Sequence, residues 1–310
     1  MVTSIAAALV VSAAMAGGAN DTGRVCVVDM GSNTFKLIVG EMSGGSYVEH
    51  YIDKKTLQVG DDMSKSGRIS DGKLKDIREA LEEFRSKCES KGAMRFRAVA
   101  TAAFREAENG RHVVDIGKDV QIPVEIATEE RESSLAYLTA TNGANNKAVI
   151  DNGSRSIELV AKDANGKPVW KVVKLGYRAA YDEFFFKAST FAEGYDRMTA
   201  ALARDLGDLR AYAARQDLVG IELDEMAMHL LKTKKVDGAR ITLSALTKYI
   251  EKLKRQDAEE FAELKKERDI DRVLPRLVAV EYVLRHTGYR SVGVVSRELG
   301  VGLIIEAGLK

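Results

Sequence analysis

Residues 27–39 read VVDMGSNTFKLIV, and residues 149–161 read VIDNGSRSIELVA. The two stretches align without a gap. Asp29 falls on Asp151, Gly31 on Gly153, Ser32 on Ser154 and Leu37 on Leu159. Their spacing is too long for a solenoid repeat, so the chain reads as two related halves. Each copy is an apolar strand that ends in Asp-x-Gly-Ser. An Asp at a strand end can reach a cation or a water, and the Gly lets the backbone turn tightly against a ligand. Successive backbone N–H groups in such a turn form a concave nest for phosphate oxygens. A single Asp-x-Gly also describes an ordinary turn. Its duplication in register points instead to two turns that face each other and hold one phosphate chain between them.

The composition agrees with two α/β units. The chain has 310 residues, 45% of them hydrophobic and 30% charged, enough for two domains with cores of their own. Lys and Arg number 47 against 46 Asp and Glu, a net charge of +1. This balance argues against DNA or RNA as a partner, which would call for a basic excess, but leaves room for an anion in a local pocket. The two cysteines, Cys26 and Cys88, form no metal motif and are expected as buried structural residues. Residues 4–16, SIAAALVVSAAMA, resemble the apolar region of a signal peptide, with Ala14-Met15-Ala16 as a cleavage site. No Lys or Arg precedes Arg24, however. A cytoplasmic protein with an N-terminal extension over 1–23, or with Met15 as the true start, is therefore expected, and export is the alternative. No other stretch is long and apolar enough to span a membrane.

Strands are expected over 24–30, 35–42 and 46–52, with Gly44-Gly45 as the hairpin turn. Leu74, Ile77, Leu81, Phe84 and Cys88 recur at helical spacing and predict a helix over 71–90. A strand over 95–100 follows, then a loop entering a helix over 101–110. Val120, Ile122, Val124 and Ile126 alternate as an edge strand would, with Pro123 on it. A helix over 129–141 follows. Strand 147–151, a hairpin at Asn165-Gly166 and strand 168–175 open the second. Helices are then expected over 177–187, 192–215, 222–235, 241–255, 257–268 and 271–286, followed by a last strand over 290–296 and a terminal helix. Each half thus opens with strands and continues with helices, an α/β pattern.

At this point the sequence resembles the exopolyphosphatase/guanosine pentaphosphate phosphatase family. VVDMGSNTFKLIVGE is similar to that family's opening "IDxGSNSxRLxI", and RAVATAAFREAENG (97–110) to its "AVATxAxRxAxN". VEIATEERESSLAYL (124–138), LGYRAAYDEFF (175–185) and residues 270–305 resemble further segments in the family's order. The resemblance runs from Val25 onward. It implies two ribonuclease-H-like (actin-like, ASKHA) domains facing across a cleft, with 24–128 as the first and 129–310 as the second. The second would have a helical C-terminal part and a last helix returning to the first. The activity implied is removal of a terminal phosphate from polyphosphate or guanosine pentaphosphate with Mg²⁺ or Mn²⁺, in the setting of the stringent response. Members of the family often dimerise, although no interface is legible here.

Carried over residue by residue, the resemblance puts Glu132 on the catalytic glutamate that orients and deprotonates water. It puts Asp29, Asp151 and Glu158 on the metal-binding acids. Gly31, Ser32, Asn33 and Thr34 fall on the first phosphate loop, with Lys36 where the family usually has Arg, so that a bidentate fork becomes a point charge. Gly153, Ser154, Arg155 and Ser156 fall on the second loop, and Arg105 on a cleft arginine. Read from the residues alone, Glu132 also fits a solvated charge in a helix's first turn, and Arg105 a surface ion pair.

Three departures stand out. The second loop reads Gly153-Ser154-Arg155-Ser156-Ile157-Glu158 where the family has Gly-Gly-Gly-Ser-Thr-Glu, and Arg155 either offers its donors to phosphate or fills the site. The third phosphate loop, expected near 219–231, keeps only Gly220, and Glu222, Asp224 and Glu225 occupy the region. Carboxylates there repel a polyanion unless a metal intervenes. The closing segment 296–303 is one residue short, with Arg297 as its remaining base. The expected function is therefore a phosphoanhydride hydrolase. The alternative is a catalytically degenerate member that binds a nucleotide or phosphate ligand and regulates a partner.

Overall fold

The computed structural model describes residues 23–309, apart from 145, 164, 166, 214 and 215. The signal-like stretch 4–16 and Gly166 of the expected hairpin lie outside the described residues. The first half comprises β1 (Val25–Met30), β2 (Thr34–Ser43), β3 (Ser46–Thr56), α1 (Val59–Ser66), α2 (Asp71–Ser90), β4 (Arg95–Ala100), α3 (Ala102–Glu106), α4 (His112–Asp119) and β5 (Val124–Ile126). Its strands form a sheet in the order β3-β2-β1-β4-β5, antiparallel among the first three and parallel from β1 to β4 and β5. Helix α5 (Glu129–Thr141) leads into β6 (Lys147–Asn152), β7 (Ile157–Lys162) and β8 (Pro168–Val173). Next come α6 (Tyr177–Ala180), which continues as a π turn over Tyr181–Phe185, then α7 (Phe191–Leu206), β9 (Asp217–Ile221), α8 (Asp224–Leu231) and β10 (Arg240–Thr242). The chain finishes with α9 (Leu243–Lys254), α10 (Ala258–Leu264), α11 (Ile270–Thr287), β11 (Ser291–Val294) and α12 (Val301–Gly308). The second sheet runs β10-β11-β9-β6-β7-β8.

The two sheets share one plan, as the duplicated phrase requires. β1 pairs antiparallel with β2 and parallel with β4, and β6 pairs antiparallel with β7 and parallel with β9. The register carries the repeat into space. Asp29 lies opposite Lys36 in the first hairpin, and Asp151 lies opposite Glu158 in the second.

β1 is buried along its whole length, as expected of a strand covered on both faces. Cys26, Val28 and Met30 point into the first half's core with Ile77, Leu81 and Phe84 of α2, while Val25 and Val27 point the other way. β6 behaves alike, sending Ala148 and Ile150 into the second core and Val149 to the opposite side. Those opposite sides meet in one apolar layer, into which α5 contributes Leu135, Ala136 and Ala140 and α12 contributes Val301, Leu303, Ile304 and Ile305. α5 packs on the second sheet, and α12 returns to pack on β1 and β2. The two helices cross at Gly302, where a Cβ would lie 2.6 Å from the Leu135 carbonyl oxygen. Among the described residues no helix is long and apolar enough to cross a membrane.

Several expectations change. Val120 and Ile122 are not in a strand: α4 runs to Asp119, Gln121 turns in the left-handed region, and pairing begins only after Pro123. The helix expected over 192–215 stops at Leu206, where Gly207 turns with φ 57°. The helix expected over 222–235 shortens to α8. β9 and β10 were not anticipated. β9 is a central strand of five residues, too short for periodicity to separate from its helical neighbours. Cys26 and Cys88 are buried as expected but are joined as a disulfide, their Cα atoms 5.9 Å apart across 62 residues of chain. The bond follows from placement, since Cys26 is on the face of β1 that the Cys88 stripe of α2 covers.

The helix crossing leaves no room for a side chain. Gly302→Ala is expected to destabilise the protein by about 1–3 kcal/mol through overpacking, measured by urea unfolding. Unchanged stability would show that the two helices can separate freely.

Candidate functional site

A cavity of about 390 Å³ opens between the halves. Both Asp-x-Gly-Ser turns line it, so the duplicated phrases do face one another. Each turn is tied by the backbone that follows its hairpin. In the first, the Gly31 N–H donates to the Thr34 carbonyl at 3.2 Å, the Leu57 and Gln58 N–H groups to the Asn33 carbonyl at 2.9 Å, and the Gly60 N–H to the Ser32 carbonyl at 2.7 Å. In the second, the Tyr177 N–H donates to the Gly153 carbonyl at 2.9 Å and the Arg178 N–H to the Ser154 carbonyl at 3.0 Å. Gly176 lets this happen: a Cβ there would meet the Arg155 and Ser156 nitrogens at 2.4 Å.

Glu132 lies in the first turn of α5, whose N-terminus is capped by the Thr128 hydroxyl accepting from the Arg131 N–H at 3.1 Å. Its side chain is 13% exposed, so it is not the solvated surface charge that the residues alone also allowed. Arg105, from α3, donates to Glu132 Oε2 at 3.0 Å and to the Ala127 carbonyl at 2.8 Å. The arginine thus spans the junction between the halves and fixes the glutamate's orientation. Burial raises the Glu132 carboxyl above the usual range, with Arg105 opposing.

Asp29, Asp151 and Glu158 are all buried in the cleft wall. Burial pushes Asp29 up to about 7 despite the nearby Lys36, and Glu158 up to about 8, with the Glu132 charge adding to the effect. Asp151 is raised by burial and by Glu158, and its Oδ1 is buried with no hydrogen-bond partner. Among the described residues no three acidic, His or Cys side chains converge to hold a metal by themselves. Mg²⁺ takes one or two carboxylates and completes its octahedron with water and phosphate oxygens. An orphaned carboxylate oxygen in a cleft lined by two phosphate-type turns fits that pattern.

The cations expected on phosphate are partly engaged. Arg155 reaches across the cleft to Glu106 at the end of α3, Nη2 to Oε2 at 2.7 Å, and Lys174 joins the same carboxylate at 3.6 Å. Lys36 pairs with Glu222 at 2.7 Å and with Glu298. Glu222 sits at the turn after β9 with φ 58°, the left-handed region. Gly220 is not a loop glycine at all; it is paired inside β9, with Leu223 packed where its side chain would be.

The β9–α8 turn brings Glu222, Asp224 and Glu225 to the cleft edge. Arg276, fully buried in α11, holds the turn in place. It donates to Glu225 Oε2 at 2.7 Å, to Glu222 Oε2 at 3.4 Å and to the Asn152 carbonyl at 3.3 Å. Arg272 adds a second bond to Glu225 at 2.7 Å. Although burial opposes its charge, Glu222 is held down at about 2 by Lys36 and Arg276. Arg297 lines the cleft but lies over the Tyr47 ring, 5.6 Å from its centroid.

Every candidate residue therefore reaches the cleft, Arg105 through its bond to Glu132 and the mouth it lines beside Arg155. Arg272, Arg276 and Glu298 were not anticipated. Arg276 left one signal, a lone arginine inside the apolar run VLPRLVAVEYVL.

The model of the Ppx/GppA phosphatase family matches residues 37–292. Among solved structures, the Ppx/GppA family member of Aquifex aeolicus aligns with a TM-score of 0.79 at 20% identity, over 92% of this chain and 97% of its own. An exopolyphosphatase from Cytophaga hutchinsonii aligns with a TM-score of 0.72 at 20% identity, over 92% and 98%. An exopolyphosphatase-like protein gives 0.73 at 21%, over 92% and 99%. At these identities the structures speak for the fold, two α/β halves around a cleft. The sequence match, the duplicated turns and the shared plan of the sheets agree: the chain belongs to the Ppx/GppA phosphatase family.

Proposed function

We propose that the protein hydrolyses a terminal phosphoanhydride, with polyphosphate or guanosine pentaphosphate as the class of substrate. The observation that carries this reading is the buried Glu132, oriented by Arg105 between two opposed phosphate-type turns. The terminal phosphate would lie on the N–H groups of the two turns. Glu132 would accept a proton from water as the water oxygen bonds to phosphorus and the bridging P–O bond breaks. Asp29, Asp151 and Glu158 are the residues that would hold Mg²⁺ or Mn²⁺. The metal would supply charge neutralisation on the phosphate oxygens as the bond breaks.

A second reading, a phosphate-ligand binder without turnover, is favoured by one observation: Lys36 and Arg155 are both paired with carboxylates. Phosphate release from tripolyphosphate, long-chain polyphosphate and guanosine pentaphosphate separates the two. Glu132→Gln is expected to lower kcat by about 10²–10⁴-fold with little change in KM. Saturable binding without release in the wild type would leave the binder. Because Glu132 titrates above the usual range in the free protein, the acid limb of kcat/KM against pH should lie above 4.5, the ordinary glutamate value.

The buried acids make a separate prediction for the metal-free protein. Asp29 moves from 3.8 to about 7 and Glu158 from 4.5 to about 8 on folding. Between the unfolded and folded values the native state binds more protons than the unfolded one, so stability falls as pH rises. The melting temperature should therefore drop from pH 5 toward pH 8 without metal, and drop less in Asp29→Asn. Mg²⁺ should restore more stability at pH 8 than at pH 5, because it competes with those protons. A melting temperature that climbs over this range, in wild type and variant alike, would contradict the buried, uncompensated state of these acids.

A further inference from the structure

The cleft of a protein proposed to bind a polyanion is itself acidic. Among the described residues that line it, eight carboxylates stand against five cationic side chains. Lys36 is the cation placed deepest by the first turn, opposite Asp29 in the β1–β2 register. Its ammonium has three protons. One is directed at Glu222 and another at Glu298, from the segment between β11 and α12. These two carboxylates come from different parts of the chain and converge on one nitrogen.

Glu222 cannot swing away cheaply. Its backbone is in the left-handed region, and Arg276, buried beneath it, holds its other oxygen. Glu298 has no such second tether among the hydrogen bonds described. It follows that a phosphate oxygen approaching Lys36 meets a cation already neutralised by two acids, with Asp29 behind it.

We propose that Glu222 and Glu298 determine substrate specificity by competing with phosphate for Lys36, so that the cleft admits a phosphoanhydride end as its Mg²⁺ complex and rejects the same anion free of metal. This rests on the reading of the cleft as a phosphoanhydride site. The metal-bound form carries less negative charge and offers the carboxylates a partner instead of a repulsion. Bare polyphosphate offers neither. Removing one acid without changing its shape frees part of the lysine's charge for the anion.

Inorganic tripolyphosphate, titrated calorimetrically into the whole protein with Mg²⁺ and then with a chelator, tests this without requiring turnover. The wild type should bind with Mg²⁺ and lose at least about tenfold in affinity without it, while Glu298→Gln should bind the metal-free anion about tenfold more tightly than the wild type. Glu222→Gln should act in the same direction and serves if Glu298→Gln melts abnormally. Equal metal-free affinity in wild type and both variants overturns the inference while leaving the cleft as a phosphate site. Binding that follows the expected pattern with no phosphate released supports the inference and removes the hydrolase. No binding by any form, with or without Mg²⁺, overturns both.

Discussion

The structure depends on how closely α5 and α12 approach one another at Gly302. The apolar layer they fill is the floor of the cleft, and both helices carry chemistry at their ends that face it. Glu132 is in the first turn of α5, and Glu298 precedes α12 by a few residues. Gly300 lies against the strand beneath the first turn, where a Cβ would come within 2.9 Å of Val27 and 3.3 Å of Asp29 Cβ. Two small residues thus let α12 and the segment before it lie close against α5 and β1, the elements that carry Glu132 and Asp29. Packing sets the approach and charge reinforces it: Arg131 of α5 donates to both carboxylate oxygens of Glu306 of α12, at 2.8 and 3.0 Å.

Around that floor, electrostatics divides the cleft into two regions. On one side, Asp29, Asp151 and Glu158 are buried with too little positive charge nearby, and their carboxyls move up. On the other, Glu222 and Glu225 face Lys36, Arg272 and Arg276 and move down. Acids held above their ordinary range take up a cation readily, whereas acids held below it are already satisfied. Two kinds of carboxylate, one cation-seeking and one cation-bound, therefore share a single cavity, and Glu298 falls between them, raised by burial although it pairs with Lys36.

Much of this was legible in the sequence. The gapless duplication announced two equivalent turns facing one cleft, whereas the register that sets Asp29 opposite Lys36 and Asp151 opposite Glu158 came only with the structure. The helix over 71–90 was readable from Ile77, Leu81, Phe84 and Cys88, since a single buried stripe on a long helix is the strongest periodic signal. β9 was not readable, because a five-residue central strand buried on both faces has no alternation. α5 was located by its flanking turn and its likeness to the family more than by amphipathicity. It is buried on several sides, so it has no clean polar face. The partners of Lys36 could not be found, because they lie 186 and 262 residues away and nothing local marks them. Arg276 advertised only that something acidic had to meet it.

The path of the chain has one more consequence. The first sheet's opposite face is covered by α12, which is synthesised only after every strand of the second sheet. On a ribosome, β1, β2 and β4 would emerge with Val25, Val27, Ile38 and Val99 bare and stay so while some two hundred further residues are made. The N-terminal half can form its inner core early, around α2, but its other surface must wait. That face is therefore the last part of the first half to be buried, because α12 covers β1 and β2 there.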